Sequence, residues 1–277
     1  MRYTFMRFPN FRRKAVTLSY DDGKIYDKKL IEIMDKHGLK GTFNLNGGLF
    51  PKETGGIRLT KEEAYALYVN SPHEVAAHGY EHLSLGEIGQ TAATCEVLKD
   101  REILEETFGC VIKGMAYANG SWGGDHVLQA AKSSGICYAR TTVSTEKFNL
   151  PEDWLRMPGT CHHNNPRLME LAQKFVEAKE SENPWANYPM LFYLWGHSYE
   201  FNDNDNWNVI EEFGEYIGNR EEIWYATNGE IYDYVQAYQN LHFSANGDRI
   251  YNPSAIDVCL CYRGKNVLVP SGKTVKV

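Results

Sequence analysis

Short apolar runs alternate with longer amphipathic stretches along most of the chain, between residues 14 and 239. The apolar runs are rich in β-branched and aromatic residues, which favours strands, and the stretches between them repeat apolar residues with helical spacing. The predicted strands are AVTLSY (15–20), GTFNL (41–45), EVAAH (74–78), IKGMAY (112–117), ICYART (136–141), LFYLWG (191–196) and IWYAT (223–227). This alternation is typical of parallel strands joined by helical crossovers.

Capping and terminating residues mark the helices between these strands. One predicted helix follows Asp27 and ends at Gly38, and another begins at Thr60, which has the capping-box spacing to Glu63. Further helices are predicted over 87–108, 124–134, 166–180, 207–217 and 229–240. About seven strand–helix units favour a closed barrel over an open dinucleotide-binding sheet. We therefore expect an α/β protein with a distorted (β/α)7-type barrel.

The pattern changes after residue 240, where short β-like runs are separated by turn residues such as NGD (246–248). We predict a barrel domain over residues 1–240 and a small C-terminal β extension over residues 241–277 that packs on it. A segment of roughly 35 residues is too short to be stable alone.

Composition narrows the class of function. The 277 residues carry 29 Lys plus Arg against 36 Asp plus Glu, a net charge of -7, which disfavours a nucleic-acid partner. No apolar run has the length of a membrane span, so no membrane role is expected. The first twenty residues lack the apolar core of a signal peptide, so we expect a cytoplasmic protein, or a secreted one if a signal was removed. The six cysteines form no C-x-x-C pair and are expected to be buried free thiols.

Polar clusters follow three of the predicted strands, at the edge where parallel α/β folds build their sites. They are Asp21-Asp22, His78 with His82, and His197. Two His four residues apart would share one face of a helical turn, which suits a common metal. Two His and one carboxylate leave open positions on a metal, and a second carboxylate and a separate His supply a base and an acid. The simpler alternatives are an Asp N-cap and satisfied histidines.

Two weaker candidates accompany these clusters. Glu81 would be the base if His78 to His82 were an inverted zincin motif, H-x-x-E-H. His162 and His163 follow a short strand-like run and are candidates for the rim of the site.

These motifs resemble those of the polysaccharide deacetylases, carbohydrate esterase family 4. SYDDG (19–23) is similar to the family's T-F-D-D-G, and HGYEH (78–82) to H-[ST]-x-x-H with Gly79 in place of Ser or Thr. YLWGH (193–197) resembles L-x-L-x-H, and KGTFNLNG (40–47) fits the second strand. The resemblance, which extends over residues 14–230, implies a distorted barrel of about seven strands and removal of acetyl groups from an N-acetylated or O-acetylated glycan.

The resemblance also implies a role for each residue. Asp22, His78 and His82 would bind a divalent metal, most commonly zinc, with cobalt, nickel, manganese or iron as alternatives. Asp21 would be the general base that deprotonates the attacking water. His197 would be the general acid that protonates the leaving amine.

The chain departs from the family at the third motif, R-x-P-x-G, which aligns with residues 116–120. The Arg and the Pro are absent and Gly120 remains. Arg140, at the end of a predicted strand, is our candidate to orient Asp21, with Arg156 as the second choice. A backbone N–H near Asn119 would still bind the oxyanion, because such a donor does not depend on the side chain.

Tyr199 and Trp207 follow His197 and are candidates for a sugar-stacking rim, with core packing as the alternative. Three other functions stay open at this point. The same fold would serve another linear or cyclic amide C–N hydrolase, and a non-catalytic carbohydrate-binding protein would retain the sugar site without turnover. An Fe(II) oxygenase also uses two His and one carboxylate, but usually as H-x-[DE]…H in a β-barrel.

Overall fold

A parallel sheet that closes on itself forms the centre of the protein, for which a computed structural model describes residue 3, residues 5–183 and residues 187–277. The central strands are β2 (Lys14–Asp21), β3 (Gly41–Leu45), β4 (Glu74–Ala77), β5 (Gly114–Ala116), β6 (Tyr138–Ser144), β7 (Met157–Gly159), β8 (Cys161–His162), β9 (Met190–His197) and β10 (Ile223–Tyr225). Their order is β7-β6-β5-β4-β3-β2-β9-β8. The strand β10 pairs with the first half of β2, and β3 pairs with its second half. Every one of these pairs is parallel.

The sheet closes into a barrel through Thr160, the single residue between β7 and β8. Its backbone N–H donates to the carbonyl of Tyr193 on β9 at 2.8 Å, and its carbonyl accepts from Glu146, just beyond β6, at 2.8 Å. With β7 and β8 counted as one interrupted strand, seven strands form the ring within the described residues. The predicted (β/α)7-type barrel is confirmed, and a register shift between β6 and β7 distorts it.

Helices cover the outside of the barrel. They are α1 (Asp27–Lys36), α2 (Lys61–Tyr68), α3 (Gln90–Phe108), α4 (Asp125–Ser133), α5 (Leu168–Glu177), α6 (Ser198–Asp203), α7 (Asn208–Ile217) and α8 (Asn228–Gln239). The predicted capping box at α2 is present, because Thr60 Oγ1 accepts from the Glu63 N–H and Glu63 Oε2 accepts from the Thr60 N–H. The predicted start at residue 87 is too early for α3, because residues 85–87 form a 3₁₀ turn.

The alternation of side chains along β2 directs Asp21 into the barrel. All eight residues of β2 are buried, as expected for a parallel strand covered on both faces. Val16 and Leu18 pack in the same cluster as Leu30 of α1, whereas Ala15 belongs to the cluster of Tyr193. Because side chains alternate between the two faces of a strand, Asp21 lies on the face of Ala15.

Antiparallel strands complete the C-terminal end of the chain, as predicted. They are β11 (His242–Phe243), β12 (Arg249–Tyr251), β13 (Val258–Tyr262), β14 (Lys265–Val269) and β15 (Thr274–Lys276), with β1 (Met6–Arg7) from the N-terminus paired to β13. Leu260 and Val269 pack with Ala237 of α8 in one apolar cluster. The extension is therefore joined both to α8 and to the first strand of the chain.

The prediction of buried free thiols holds for only part of the cysteines. The six cysteines are free thiols, but only Cys161 and Cys259 are buried, whereas Cys95 and Cys110 are exposed. Among the described residues, no helix combines the length and the apolar character needed to cross a membrane.

Candidate active site

The predicted site residues meet at the carboxyl end of the barrel. Asp21 is the last residue of β2, directly opposite His197 of β9 and Asn44 of β3. His78 follows β4, the next strand round the ring. Because parallel strands end at the same edge, residues far apart in sequence share one mouth of the barrel.

Asp22, His78 and His82 form a candidate metal cluster. One ligand atom of each lies within 4.8 Å of the others, and Asp22 Oδ1 is 3.5 Å from His82 Nε2. His78 Nδ1 donates to the Ala116 carbonyl at 2.9 Å, which leaves Nε2 as the unprotonated ring nitrogen. Asp22 Oδ1 is buried and makes no hydrogen bond within the described part of the chain. The Arg58 guanidinium lies 3.6 Å from the same oxygen. A divalent cation fits this donor set, because it would bind the oxygen that makes no hydrogen bond and the available ring nitrogens.

The segment that carries the two histidines is a loop, so our prediction of a helical turn is wrong. Residues 78–83 contain no helix, and both Gly79 (φ 86°) and His82 (φ 61°) have left-handed backbone conformations. These two residues reverse the chain and bring the rings to a centroid distance of 4.8 Å. A Cβ at Gly79 would also lie 3.1 Å from Glu96 Oε1, so both the backbone conformation and the close contact suit glycine at this position.

Two carboxylates of α3 hold this loop, and the sequence analysis missed both. Asp100 is fully buried and accepts three backbone N–H bonds, from Gly47 at 2.6 Å and from His78 and Gly79 at 2.8 Å each. Glu96 accepts from the backbone N–H of Glu81 at 2.6 Å. Burial raises the pKa of Asp100 to about 7, although its three N–H partners oppose this. The sequence signal that could have identified both residues is the position of a carboxylate in the apolar stripe of α3.

Glu81 itself has an exposed side chain, and its backbone N–H is what the loop uses. The inverted zincin interpretation therefore has no support in the geometry.

Asp21 forms a buried ion pair with Arg140. The Arg140 guanidinium donates to Asp21 Oδ2, and Asn44 Nδ2 donates to Oδ1 at 2.8 Å. Burial alone would raise the pKa of Asp21, but the charge of Arg140, helped by His78 and His197, lowers it to about 2. Arg140 is 1% exposed and packs over the ring of Trp195, 4.6 Å from its centroid. The structure thus brings our candidate Arg140 to the carboxylate that the missing motif Arg would have faced.

Arg156, our second choice, does not reach Asp21. Its guanidinium lies 3.5 Å from Asp153 and is one-third exposed.

His197 lies across the mouth from the candidate metal cluster. Its Nε2 is 3.9 Å from Asp21 Oδ2, and its side chain is about a quarter exposed. Burial lowers the pKa of His197, but the carboxylates of Glu200 and Asp21 outweigh burial, so the net shift is upward. A ring with a raised pKa holds its proton more readily near neutral pH.

A second cluster adjoins His197 and centres on Glu200, another residue that the sequence analysis missed. Glu200 Oε2 lies 3.2 Å from His162 Nε2, 3.1 Å from His163 Nε2 and 3.3 Å from His197 Nδ1. Burial opposes ionisation of Glu200, but these three imidazoles hold its pKa well below the ordinary range. Burial lowers the pKa of His163 to about 4. The His pair expected at the rim is therefore in contact with the acid candidate.

Asn119 and Gly120 lie beside the histidine loop. Asn119 Nδ2 donates to the His82 carbonyl at 3.2 Å and to Ser84 Oγ at 3.1 Å. Both Asn119 (φ 55°) and Gly120 (φ 63°) have left-handed conformations. The side chain of Asn119 thus supports the loop, and oxyanion binding by a nearby N–H stays a prediction.

The two aromatic candidates have different surroundings. The ring of Tyr199 lies 5.2 Å from that of His197, at the mouth. Trp207 packs on Phe201 at 5.2 Å and under Lys29 Nζ at 4.3 Å. This packing explains Trp207 without a sugar, and its substrate-binding role stays a prediction that no described contact supports.

Fold and site together define an α/β-barrel protein with a carboxylate–histidine centre at the carboxyl mouth of the barrel. Residues 9–139 match the family model described as polysaccharide deacetylase. The resemblance seen in the motifs is confirmed over these residues, which make up just under half of the chain.

Solved structures share this fold. A protein of Mycobacterium smegmatis provisionally assigned as a polysaccharide deacetylase is 17% identical, with a TM-score of 0.60 over 85% of this chain and 94% of that one. The Xyl-CE4 domain of a multidomain xylanase from the hindgut metagenome of Trinervitermes trinervoides is 15% identical, with a TM-score of 0.54 over 85% and 99%. At such identities the likeness establishes the fold alone.

Two further relatives limit what the family implies. BA3943 of Bacillus anthracis is a pseudoenzyme, and one of its mutants has restored enzymatic activity. That mutant is 18% identical, with a TM-score of 0.51 over 82% of this chain and 70% of the mutant. YlxY of Bacillus subtilis is 25% identical over 162 residues, 57% of this chain and 48% of YlxY, so the match spans about half the length of that relative. Because the fold occurs in a pseudoenzyme, activity must be argued from the site.

Proposed function

We propose that this protein is a metal-dependent hydrolase that removes N-acetyl or O-acetyl groups from a carbohydrate. One observation carries the proposal: Asp21 lies within 4 Å of both His78, from the candidate metal cluster, and His197. A nucleophile-activating carboxylate, a cation site and an acid are therefore available around one substrate position.

Asp22, His78 and His82 would hold the cation. Two imidazoles and one carboxylate suit zinc, and the same donors accept cobalt, nickel, manganese or iron. A cation bound there supplies Lewis acidity, which polarises the acetyl carbonyl and lowers the pKa of water.

Asp21 is suited to receive a proton. With a pKa of about 2 it is ionised at neutral pH, and Arg140 and Asn44 fix the orientation of its two oxygens. A positioned carboxylate takes the proton of the attacking water as the bond to the acetyl carbon forms.

His197 is suited to give a proton. Its pKa is raised, mainly by carboxylates, and Nε2 faces the Asp21 side of the mouth. When the C–N bond of the acetamide breaks, the leaving amine takes that proton, and acetate and a free amino sugar are released.

The glycan would lie over the mouth, with Tyr199 as a stacking surface. Tyr and Trp are common in such sites because their rings combine an apolar face with a polar edge. The Xyl-CE4 neighbour belongs to a xylanase, which supports a carbohydrate as the substrate class. If the protein is cytoplasmic, as we propose, a soluble oligosaccharide suits it better than a wall polymer.

The test is a substrate panel with the zinc-loaded protein. We expect acetate release from chitooligosaccharides or peptidoglycan fragments, and a loss of about 10²- to 10⁴-fold in the Asp21→Asn variant. Ring-opened products from cyclic amides without acetate would favour the amide hydrolase that the altered residues 116–119 leave open. Glycan binding with no product would indicate a carbohydrate-binding protein.

A further inference from the structure

One carboxylate oxygen, Glu200 Oε2, is shared by three imidazoles at the mouth of the barrel. The nitrogens of His162, His163 and His197 lie 3.1–3.3 Å from it, and the backbone N–H of His197 also donates to it at 3.3 Å. Glu200 is in the first turn of α6 and folds back onto the last residue of β9. It lies outside the short motifs on which the family resemblance rests.

The surroundings fix the two histidines that precede His197. His162 Nδ1 accepts from the Asn164 N–H at 3.2 Å, so the neutral ring carries its proton on Nε2, which faces Glu200. The ring of His163 is stacked on that of Tyr20, at 5.8 Å, and on that of Phe201, at 4.1 Å. The rings around Glu200 are therefore held independently of its carboxylate.

Close packing at Gly196 completes this cradle. A Cβ at Gly196 would lie 2.1 Å from His163 Nδ1, so β9 can pack this closely on His163 only with glycine at position 196. Glu200 thus meets a preformed arrangement in which His162 Nε2 is a donor. The side chain of Glu200 is 23% exposed.

His197 uses its two ring nitrogens on opposite sides. Nδ1 is 3.3 Å from Glu200 Oε2, and Nε2 is 3.9 Å from Asp21 Oδ2. A carboxylate on one imidazole nitrogen fixes the tautomer and orientation of the ring, so that the other nitrogen points to the reacting atoms. Contacts of this kind are often long before substrate binds.

We propose that Glu200 is a positioning residue for His197, and that His162 in turn holds Glu200. This inference rests on the proposed deacetylase function. Glu200 keeps Nε2 of His197 directed at the leaving amine, and its charge stabilises the protonated ring. The pair His162–His163 thereby acquires a role at the site without touching the substrate.

A second cation is the competing explanation for the same atoms. His162, His163 and Glu200 each offer a ligand atom, all within 4.8 Å of one another. A cation on His162 Nε2 would require that nitrogen to lose its proton, and the Asn164 contact favours the opposite tautomer. Neither His197 Nδ1 nor His163 Nε2 makes a hydrogen bond within the described residues, so their contact with Glu200 is one of charge. We therefore favour positioning by charge and make the cation an outcome of the test.

The test compares Glu200→Gln with the wild-type protein in its zinc-loaded form. On an N-acetylated chitooligosaccharide we expect kcat to fall about 10- to 100-fold while KM stays within about threefold, because an acid is misdirected and no substrate contact is lost. A His162→Gln variant should lose about three- to tenfold in kcat by the same reasoning. Glu215→Gln, at an exposed position of α7, is the matched control and should behave as wild type.

A spectroscopic arm separates this inference from the proposed function. In ¹⁵N-histidine-labelled protein, Glu200→Gln should shift the ring-nitrogen signals of His197, whether or not the wild type releases acetate. Unchanged His197 signals with unchanged kcat would overturn the proposal. A second equivalent of zinc that is lost in Glu200→Gln would overturn it as well, since the cluster would then be a cation site.

Discussion

At the scale of single residues, the ion pair between Asp21 and Arg140 decides what the site can do. A buried carboxylate without a partner would take up a proton, and such a group is a poor base. Arg140 reverses this effect from β6, a strand other than the one that carries the altered third motif. The charge that orients Asp21 is therefore kept, although the motif residue is absent.

Replacing Arg140 should disable the base. In Arg140→Ala the burial of Asp21 remains and the opposing charge is lost, so the pKa of Asp21 rises. We expect kcat to fall about 100-fold and the acid limb of the kcat/KM profile to move to higher pH. Both are read from acetate release as a function of pH.

Arg156→Ala is the matched control, because Arg156 contacts Asp153 and not Asp21. Arg140→Lys keeps the charge but lacks the planar fork, so its activity should be intermediate. Undiminished turnover by Arg140→Ala, with an unmoved acid limb, would show that Arg140 does not serve the base.

The sequence allowed Arg140 to be proposed, because a strand-end Arg was needed and few were available. Glu200 and Asp100 were not predicted, since their partners are backbone amides and histidines that approach only in the folded chain. Spacing patterns identify ligands that are neighbours in sequence, and they contain no information on which buried carboxylate supports them.

At the scale of elements, the loop after β4 shows how helix α3 maintains the candidate metal cluster. The loop has no helical hydrogen bonds of its own and depends on left-handed residues at Gly79 and His82. Asp100 compensates by accepting three backbone N–H bonds at its base. The two histidines of the i, i+4 spacing do lie together, but a loop and not the predicted helical turn brings them there.

Changing Asp100 should weaken cation binding without removing a ligand. Asn offers one acceptor oxygen, so its NH₂ group must face at least one of the N–H donors, and leaving a buried donor unpaired costs about 1–3 kcal/mol. We expect Asp100→Asn to lower the affinity for zinc about tenfold and to lower Tm. Zinc titration and thermal unfolding measure the two effects.

Glu102→Gln, at an exposed position of the same helix, is the control and should leave both quantities unchanged. If Asp100→Asn bound zinc as tightly as wild type, the loop would be shown to keep its shape without this carboxylate.

At the scale of the whole molecule, the alternation of strands and helices predicted the barrel correctly. Parallel strands buried on both faces read as continuous apolar runs, which is why their positions were found within a few residues. Closure through Thr160 was not visible, because β7 and β8 are too short to give a pattern. The pairing of β1 with β13 joins the two ends of the chain, a long-range contact that local patterns do not encode.

The whole fold thus supplies a mouth at which residues from five strands, β2, β3, β4, β6 and β9, converge. The central claim is that a bound cation makes this mouth a deacetylase. The fold is shared with a mutant of BA3943 described as a pseudoenzyme, so only the site can justify that claim.

The most direct test measures bound metal and acetate release on the same samples, as purified, after chelation and after zinc is restored. We predict that acetate release disappears with the metal and returns with zinc, and that Asp22→Ala neither retains zinc nor releases acetate. Full acetate release from metal-free protein, or from a metal-loaded Asp22→Ala variant, would contradict the account.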